Sequence, residues 1–180
     1  VFTVMSYGFD GWSRSSPTSS TYMVDDVRAL QHLYGTDTSF SSGNNIYDYS
    51  FFASDNSGFI KSIYDYAGTD TFDFTNQNFE TRGILNSNDY LFLDGNPANG
   101  TVTSISDSDI LNLQNFEGVL GMANSYIEQF FGGDGSDEIT AGSSGSVLFG
   151  GFASRVVDAL TAGSGDDKIV IHDSGFLASK

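Results

Sequence analysis

A glycine-aspartate repeat near the carboxyl end of the chain restricts the folds that this sequence can adopt. Residues 132–140, Gly-Gly-Asp-Gly-Ser-Asp-Glu-Ile-Thr, fit the nonapeptide G-G-x-G-x-D-x-U-x, in which U is a large apolar residue. Residues 162–170 restore this pattern after two worn copies, which carry Ser146 and Arg155 at the aspartate position and are followed by a slip of about three residues. The rhythm predicts a flattened coil of short strands, a parallel β-roll, with each apolar U residue packed inside.

The repeat also predicts calcium binding at its turns. Glycines allow backbone carbonyls and one carboxylate to point inward at each corner, and calcium prefers oxygen ligands. Because each ion needs ligands from two neighbouring turns, a worn turn weakens the site it shares, and we expect one or two well-filled positions at most. The predicted ligands are Gly133, Gly135, Asp137, Gly163, Gly165 and Asp167. A further hypothesis is that the Arg155 guanidinium replaces a cation beside nearby carboxylates.

The acidic composition excludes several classes of partner. The chain has 23 Asp and Glu residues against 7 Lys and Arg residues, for a formal charge of −16. Such a chain repels phosphate backbones and anionic membrane surfaces, so nucleic acid is not an expected partner. The surplus carboxylates either form a solubilising surface or hold cations such as calcium, and composition alone leaves both open. The sequence has no cysteine and no run of about 18 apolar residues, so it predicts neither disulfides nor a membrane span.

One helix is predicted, over Thr21–Tyr34. Ser20 or Thr21 can cap its first amides, and Gly35 is a natural stop after its last turn. One face of this helix is predicted to be apolar because residues of that type recur at helical spacing, namely Val24, Val27, Leu30, Leu33 and Tyr34.

The remainder of the chain, residues 36–180, is expected to be almost entirely β. Strand-like segments rich in aromatic and aliphatic residues run over Tyr64–Phe74 and Tyr90–Leu93. Two further segments of this kind are Val102–Ile105 and Ile110–Leu113. The predicted fold class is therefore mostly β, with one helix followed by a β-sandwich or parallel β-roll.

The segment Phe2-Thr-Val-Met-Ser-Tyr7 resembles the Met-turn of a metzincin zinc protease. In that class a helix of the form H-E-x-x-H-x-x-G-x-x-H precedes the turn and holds the zinc. This chain has no His-Glu pair, and its two histidines are His32 and His172. We therefore expect the chain to begin inside a longer precursor whose upstream half binds the zinc.

Taken in order, several segments resemble serralysin-type secreted metalloproteases with RTX-like calcium-binding repeats. These segments are Thr3–Tyr7, Val24–Gly35, Asp65–Asp73, Tyr126–Glu128 and the repeats from Gly132. The resemblance implies that Met5 is the hydrophobic base beneath the zinc histidines. It also implies that Tyr7 binds zinc through its phenolic oxygen and helps to stabilise the tetrahedral intermediate. The plain alternative for both residues is an ordinary packed side chain.

The resemblance further implies calcium ligands at the junction between the protease part and the roll. The matching positions are Asp65, Gly68, Asp70, Tyr126 and Glu128, with two sites that share Asp70. Ala67 replaces a glycine of the family pattern, so a carbonyl ligand survives there only if its φ stays negative. The alternative is a plain acidic turn, although the three carboxylates within residues 65–73 would repel one another without a cation.

These expectations define two parts and two candidate functions. Residues 1–35 are predicted to be the end of a zinc protease domain, and residues 36–180 a calcium-binding domain. The first function is the C-terminal part of an extracellular zinc endopeptidase that acts on protein or peptide substrates and is inactive without its N-terminal half. The alternative, favoured by Ser146 and Arg155, is a non-catalytic calcium-binding β-roll that serves as a structural or secretion module. An adhesin or surface-layer piece is supported by the repeats alone and ranks below both.

Overall fold

A computed structural model of the protein describes residues 19, 21–52, 59–94, 118–143, 145–151 and 159–170. Its helices are α1 (Val24–Tyr34) and α2 (Tyr49–Phe52). Its strands are β1 (Ile46–Asp48), β2 (Phe59–Ile63), β3 (Thr71–Asp73), β4 (Glu80–Ile84), β5 (Tyr90–Asp94), β6 (Gly118–Met122), β7 (Gln129–Phe131), β8 (Glu138–Thr140), β9 (Val147–Phe149), β10 (Ala159–Thr161) and β11 (Lys168–Val170). The predicted mostly β architecture is confirmed.

The strands form two sheets. The five-stranded sheet has the order β1-β3-β7-β9-β11, and all its pairs are parallel. The six-stranded sheet has the order β10-β8-β4-β5-β6-β2 and is antiparallel only where β5 pairs with β4 and β6. From β6 onward the described strands alternate between the two sheets, which is the winding that the glycine-aspartate repeat predicts.

The core lies between the two sheets. Phe72, Phe130 and Leu148 are the central residues of β3, β7 and β9, and all three side chains are fully buried. Ile139, the U residue of the first repeat, is fully buried opposite them. In β11, at the end of the five-stranded sheet, the equivalent Ile169 is 39% exposed. Three-residue strands place their middle side chain inward, which explains why the middle residues of β3, β7, β8 and β9 are buried.

Two rows of turns join the sheets, and each row lies along one side of the roll. The first turn row, which leads into the five-stranded sheet, contains residues 64–70, 123–128, 141–146 and 162–167. The second turn row, which leads into the six-stranded sheet, contains residues 74–79 and 132–137. The link between β9 and β10, residues 150–158, is longer than the other repeat turns, which accounts for the slip in the sequence pattern.

Helix α1 begins later than the predicted residue. The N-cap is Met23, whose amide donates to the Asp26 carboxylate at 2.9 Å, so the predicted cap at Ser20 or Thr21 is wrong. The Thr21 hydroxyl instead accepts a hydrogen bond from the Ser62 amide at 2.7 Å, which ties the chain to β2. The helix ends at Tyr34 as predicted, with Gly35 as its C-cap.

The predicted apolar face of α1 is only partly buried. Val24 is buried, and Met23 packs against Phe92 of β5 and Val119 of β6 in the six-stranded sheet. At the other end of the helix, Leu33 is 70% exposed and Tyr34 is 82% exposed. The helix therefore contacts the roll through its first turn and leaves its later apolar residues accessible.

Three other predictions about secondary structure have mixed outcomes. Tyr90–Leu93 is confirmed as part of β5, but Tyr64–Phe74 is not one strand because residues 64–70 form a turn before β3. Residues 102–105 and 110–113 lie outside the described residues. The short helix α2 interrupts the part expected to be almost entirely β. No helix among the described residues is long and apolar enough to cross a membrane.

Candidate calcium sites

Asp65 and Asp70, two predicted calcium ligands, stand in the first turn row between β2 and β3. Each residue is only 2% exposed. Burial of a carboxylate is unfavourable unless hydrogen bonds or a cation compensate for the lost water. The partners of these two side chains therefore decide what the turn can do.

Asp65 has one oxygen that is hydrogen-bonded and one that is not. Its Oδ2 accepts from the Tyr47 hydroxyl at 2.5 Å and from the Asn45 Nδ2 at 2.9 Å. Its Oδ1 is fully buried and has no hydrogen-bond partner in the part of the chain that the structure describes. A buried carboxylate oxygen without a donor is the kind of atom that a cation satisfies.

Asp70 and Glu128 connect neighbouring turns of the first row. The Asn45 amide donates to Asp70 Oδ1, and the Asp70 amide donates to Glu128 Oε2, both at 2.8 Å. Burial, together with the negative charges of Asp65 and Glu128, raises the pKa of Asp70 to about 7. Burial also raises the pKa of Glu128, and the charge of Asp65 adds to that effect. These shifts mean that Asp70 and Glu128 resist ionisation when no cation is near.

The donor set in this turn fits calcium rather than a softer metal. Gly68 has a φ of 146°, and a Cβ atom added to it would lie 2.5 Å from the Gly43 carbonyl oxygen, so backbone oxygens approach closely here. Ala67 is not among the described residues with a positive φ, so the condition on its carbonyl is met. Within the described ranges, no three His, Asp or Glu side chains are grouped so that they could hold a metal by themselves. Backbone carbonyls would have to complete the shell, which calcium accepts.

Tyr126, the fifth predicted ligand at this junction, has an exposed side chain. Its proposed contribution is a backbone carbonyl, which side-chain exposure does not test. The role of Tyr126 stays a prediction, and so do the roles of the other four predicted ligands at this junction.

Asp137 stands in the second turn row, in the best copy of the repeat. It is buried, and its Oδ1 accepts from the Thr81 amide of the neighbouring coil at 2.8 Å. A Cβ atom added to Gly133 would lie 2.2 Å from the Gln77 carbonyl oxygen, so this glycine is required by the approach of the neighbouring turn. The nearby Gly135 is also buried. A Cβ atom added to Gly132 would lie 2.0 Å from Asp137 Oδ2 and 2.7 Å from the Gly150 carbonyl oxygen, so this glycine leaves room for the carboxylate beside a backbone oxygen of the next coil.

Asp167 belongs to the first turn row and so lies on the other side of the roll from Asp137. Its Oδ1 accepts from the Ser146 amide at 2.8 Å. Its Oδ2 is buried and has no hydrogen-bond partner among the residues described. Gly163 and Gly165 lie in the same turn, with Gly163 exposed and Gly165 half-buried. Asp137 and Asp167 thus lie in different turn rows, and each accepts a hydrogen bond from a different neighbouring segment.

The worn repeat turn, residues 141–146, is closed by hydrogen bonds. The Ser146 hydroxyl, which is buried, accepts from the Gly142 amide at 3.3 Å. The Asn86 Oδ1, in the loop between β4 and β5, accepts from the Ser143 amide at 2.9 Å. The side chains of Asn86 and Ser146 therefore accept hydrogen bonds from backbone amides at this turn. Arg155, the proposed stand-in for a cation, lies outside the described residues.

The proposed zinc-site residues Met5 and Tyr7 also lie outside the described residues, as does His172. His32 is exposed in the last turn of α1. Sequence reasoning missed Asn45 and Tyr47, which donate to Asp65 and Asp70 from the segment before α2. The only signal for them is a polar run, residues 41–45, ahead of a short strand.

The chain is similar in sequence to parts of several metalloproteases. Serralysin C of Dickeya chrysanthemi is 31% identical over 118 residues, which is 57% of this chain and 23% of the relative. Metalloprotease AprA of Pseudomonas entomophila (strain L48) is 29% identical over 166 residues, which is 82% of this chain and 30% of the relative. Serralysin of Proteus mirabilis is 33% identical over 86 residues, which is 41% of this chain and 17% of the relative. No protein-family model matches the chain.

The resemblance predicted from the motifs is therefore confirmed at about 30% identity over part of the chain. The chain spans between 17% and 30% of the length of these relatives. What it matches is accordingly a portion of each relative.

Proposed function

We propose that this chain, whose curated relatives include serralysins and metalloprotease AprA, is the calcium-stabilised C-terminal part of an extracellular zinc endopeptidase. In this proposal residues 1–35 complete the protease domain, and residues 36–180 form the calcium-binding domain. The substrates would be proteins or peptides. The zinc histidines and the catalytic glutamate would come from an upstream half, so the 180 residues alone would be inactive.

The observation that carries the proposal is the junction formed by Asp65, Asp70 and Glu128. The buried Asp65 Oδ1 atom lies in the turn that the resemblance to serralysin-type proteases implies to be a calcium loop. A chain without cysteines has no disulfide to hold such a junction together, and cations that bridge neighbouring turns can do so.

The roles of the chain's own residues in catalysis are limited. Zinc in the upstream half would supply an activated water for attack on a peptide carbonyl. Tyr7 would donate a hydrogen bond from its phenolic hydroxyl to the substrate oxygen that gains negative charge. Met5 would provide an apolar support below the metal-binding side chains. The roll would hold this segment in place.

The test compares the full-length protein that contains this chain with the 180-residue chain, using a casein substrate. We expect the full-length protein to cleave casein, the 180-residue chain to be inactive, and a Tyr7→Phe variant to lose about 10²-fold in kcat, as for loss of one oxyanion donor. Tyr22→Phe, a change of the same kind at an exposed tyrosine, is the control. Cleavage by the 180-residue chain alone, or an upstream sequence without the three-histidine motif, would refute the proposal.

A second candidate function is a calcium-binding module without chemistry. It is favoured by the turn 141–146, where side-chain hydrogen bonds involving Asn86 and Ser146 stand in place of an aspartate ligand. In that case the full-length protein would bind calcium and show no peptidase activity. The casein assay therefore separates the two functions.

A further inference from the structure

The hairpin turn, residues 85–89 between β4 and β5, is inserted into the first turn row. In the six-stranded sheet β4 and β5 separate β6 from β8. The strands that follow these two along the chain, β7 and β9, are nevertheless direct neighbours in the five-stranded sheet. The hairpin turn is therefore placed to join residues 123–128, which follow β6, to the worn repeat turn, which follows β8.

On one side the hairpin turn is bonded to the end of β6 and the residues after it. The Asn88 amide donates to the Met122 carbonyl at 2.6 Å, and the Met122 amide donates to the Asp89 carbonyl at 3.0 Å. The Asn88 Oδ1 accepts from the Asn124 amide at 3.1 Å. Asn88 and Asn124 have φ angles of 68° and 51°, a left-handed conformation in which asparagine is several-fold enriched. Backbone groups and one amide side chain thus make this contact without an ion.

On the other side the hairpin turn is bonded to the worn repeat turn and the strand before it. The Leu85 amide donates to the Thr140 carbonyl at 3.0 Å, and the Asn86 Oδ1 accepts from the Ser143 amide at 2.9 Å. A Cβ atom added to Gly142 would lie 2.0 Å from the Leu85 carbonyl oxygen. The two backbones are therefore in direct contact, and no space for a cation is left between Leu85 and Gly142.

The side chains of both turns already have hydrogen-bond partners. Residues 141–146 contain no Asp or Glu, and the Ser146 hydroxyl accepts from the Gly142 amide. The one carboxylate of the hairpin turn belongs to Asp89. Burial raises the pKa of Asp89, and a hydrogen bond from the Asn86 side chain opposes that rise. The acid is thus held by a neighbouring amide.

Buried oxygens without partners distinguish the rest of the first turn row from this part of it. Asp65 and Asp167 each have a buried carboxylate oxygen that has no hydrogen-bond partner in the described ranges. Neither the hairpin turn nor the described residues of the worn repeat turn have such an atom. The criterion that makes the Asp65 turn fit calcium therefore fails here, although the repeat pattern extends through residues 141–146.

We propose that the hairpin turn is a calcium-independent clamp, which joins two coils by direct hydrogen bonds at a place where the glycine-aspartate repeat would otherwise hold an ion. The strands that it connects, β4, β5, β6 and β8, would stay assembled when calcium is removed, while the turns at Asp65 and Asp167 loosen. The inference goes beyond the proposed function, because peptidase activity depends on other residues.

The test is hydrogen exchange of the full-length protein, followed by mass spectrometry in calcium and in a chelator that spares zinc. In chelator we expect the segments that contain Asn88 and Ser143 to keep their protection within a few-fold. Residues 64–70 should lose about 100-fold, as for removal of calcium from a site held at about 100 times its Kd. Local opening of the Asp65 turn would then be separated from opening of the clamp.

Two variants test the hydrogen bonds themselves. Asn86→Ala should lower the protection of the Ser143 amide about 5- to 10-fold, by the same factor in calcium and in chelator, since it removes one hydrogen bond. Asn78→Ala, at an exposed asparagine of the second turn row, is the control and should leave Ser143 unchanged. Ser146→Asp, which restores the aspartate of the repeat, should bind no additional calcium in calorimetry and should lower Tm in both conditions, because the new carboxylate replaces a buried hydroxyl.

Two results would overturn the inference. Loss of protection at Asn88 and Ser143 in chelator as large as that of residues 64–70 would show that the clamp needs calcium. A Ser146→Asp variant that binds one more calcium ion and melts at a higher temperature in calcium would show that the worn repeat turn has room for an ion. Protection that persists at residues 64–70 as well would count against the calcium junction of the proposed function while leaving the clamp in place.

Discussion

Withdrawal of calcium should destabilise the roll by an amount that the Asp65 junction determines. One site at a calcium concentration about 1,000 times its Kd stabilises a fold by about 4 kcal/mol. For a chain of this size, about 1 kcal/mol corresponds to about 2–4 °C in Tm, so a chelator should lower Tm by about 8–16 °C. A second filled site would increase the shift.

The substitution Asp65→Asn identifies the junction as the source of this effect. If the substitution weakens calcium affinity about 100-fold, the remaining stabilisation at the same calcium concentration is about 1.4 kcal/mol, or about 3–6 °C. In chelator the difference in Tm between the two proteins reverses. The variant should melt at a higher temperature than the unmodified protein, because a buried negative charge beside Asp70 and Glu128 is gone. The two melting curves therefore exchange order between calcium and chelator.

The assay is thermal unfolding followed by far-UV circular dichroism, in calcium and in chelator. Glu138→Gln is the matched control, since it also removes one negative charge but from an exposed position on β8. The control should keep the full calcium increment. If Asp65→Asn retained the same increment as the unmodified protein, the reasoning about the Asp65 Oδ1 atom would be refuted.

Three further predictions concern pH, the core and the turns. The pKa of Asp70 is raised from 3.8 to about 7 in the fold, so the metal-free fold binds more protons than the unfolded chain between these pH values. The Tm in chelator should therefore fall as the pH rises from 5.5 to 8. A Tm that rises over this range would contradict the raised pKa of Asp70. Phe130→Ala, at a fully buried ring, should cost about 3–5 kcal/mol in chemical denaturation, and a loss below 1 kcal/mol would argue against the described core. Gly133→Ala should cost about 1–3 kcal/mol because the new Cβ atom meets the Gln77 carbonyl, whereas Gly43→Ala, with nothing within 4 Å of its Cβ position, is the control and should be nearly neutral.

The repeat pattern predicts which side chains face the interior of the roll. Ile139 and Leu148 are buried where the nonapeptide requires an apolar residue, because a three-residue strand has only one inward position. Ile169 fits the same pattern but is partly exposed, since among the described strands β11 has a neighbour on one side only. A pattern along the chain cannot show which repeat lies at the end of the described sheet.

The errors at α1 and at the junction have a different cause. The start of α1 is set by a buried carboxylate, Asp26, that caps the helix from within, so the Ser and Thr residues before it were misleading. Asn45 and Tyr47 reach Asp65 across 20 and 18 residues of chain, and Asn86 reaches Ser143 across 57. Such contacts depend on how coils stack, which local composition does not encode. The resemblance to the protease family nevertheless identified Asp65 and Asp70, the two buried carboxylates of the junction, from the sequence.

The turn at residues 141–146 limits how far order can spread along the first turn row. It lies between the acidic junction at Asp70 and Glu128 on one side and the Asp167 turn on the other, and it carries no carboxylate of its own. In stacked folds each coil is coupled to its nearest neighbours, so ions bound on the two sides of this turn would share no carboxylate and would be linked only through its hydrogen bonds to Glu128 and Asp167. A calcium titration should then show separate steps with weak cooperativity between the two ends of the row.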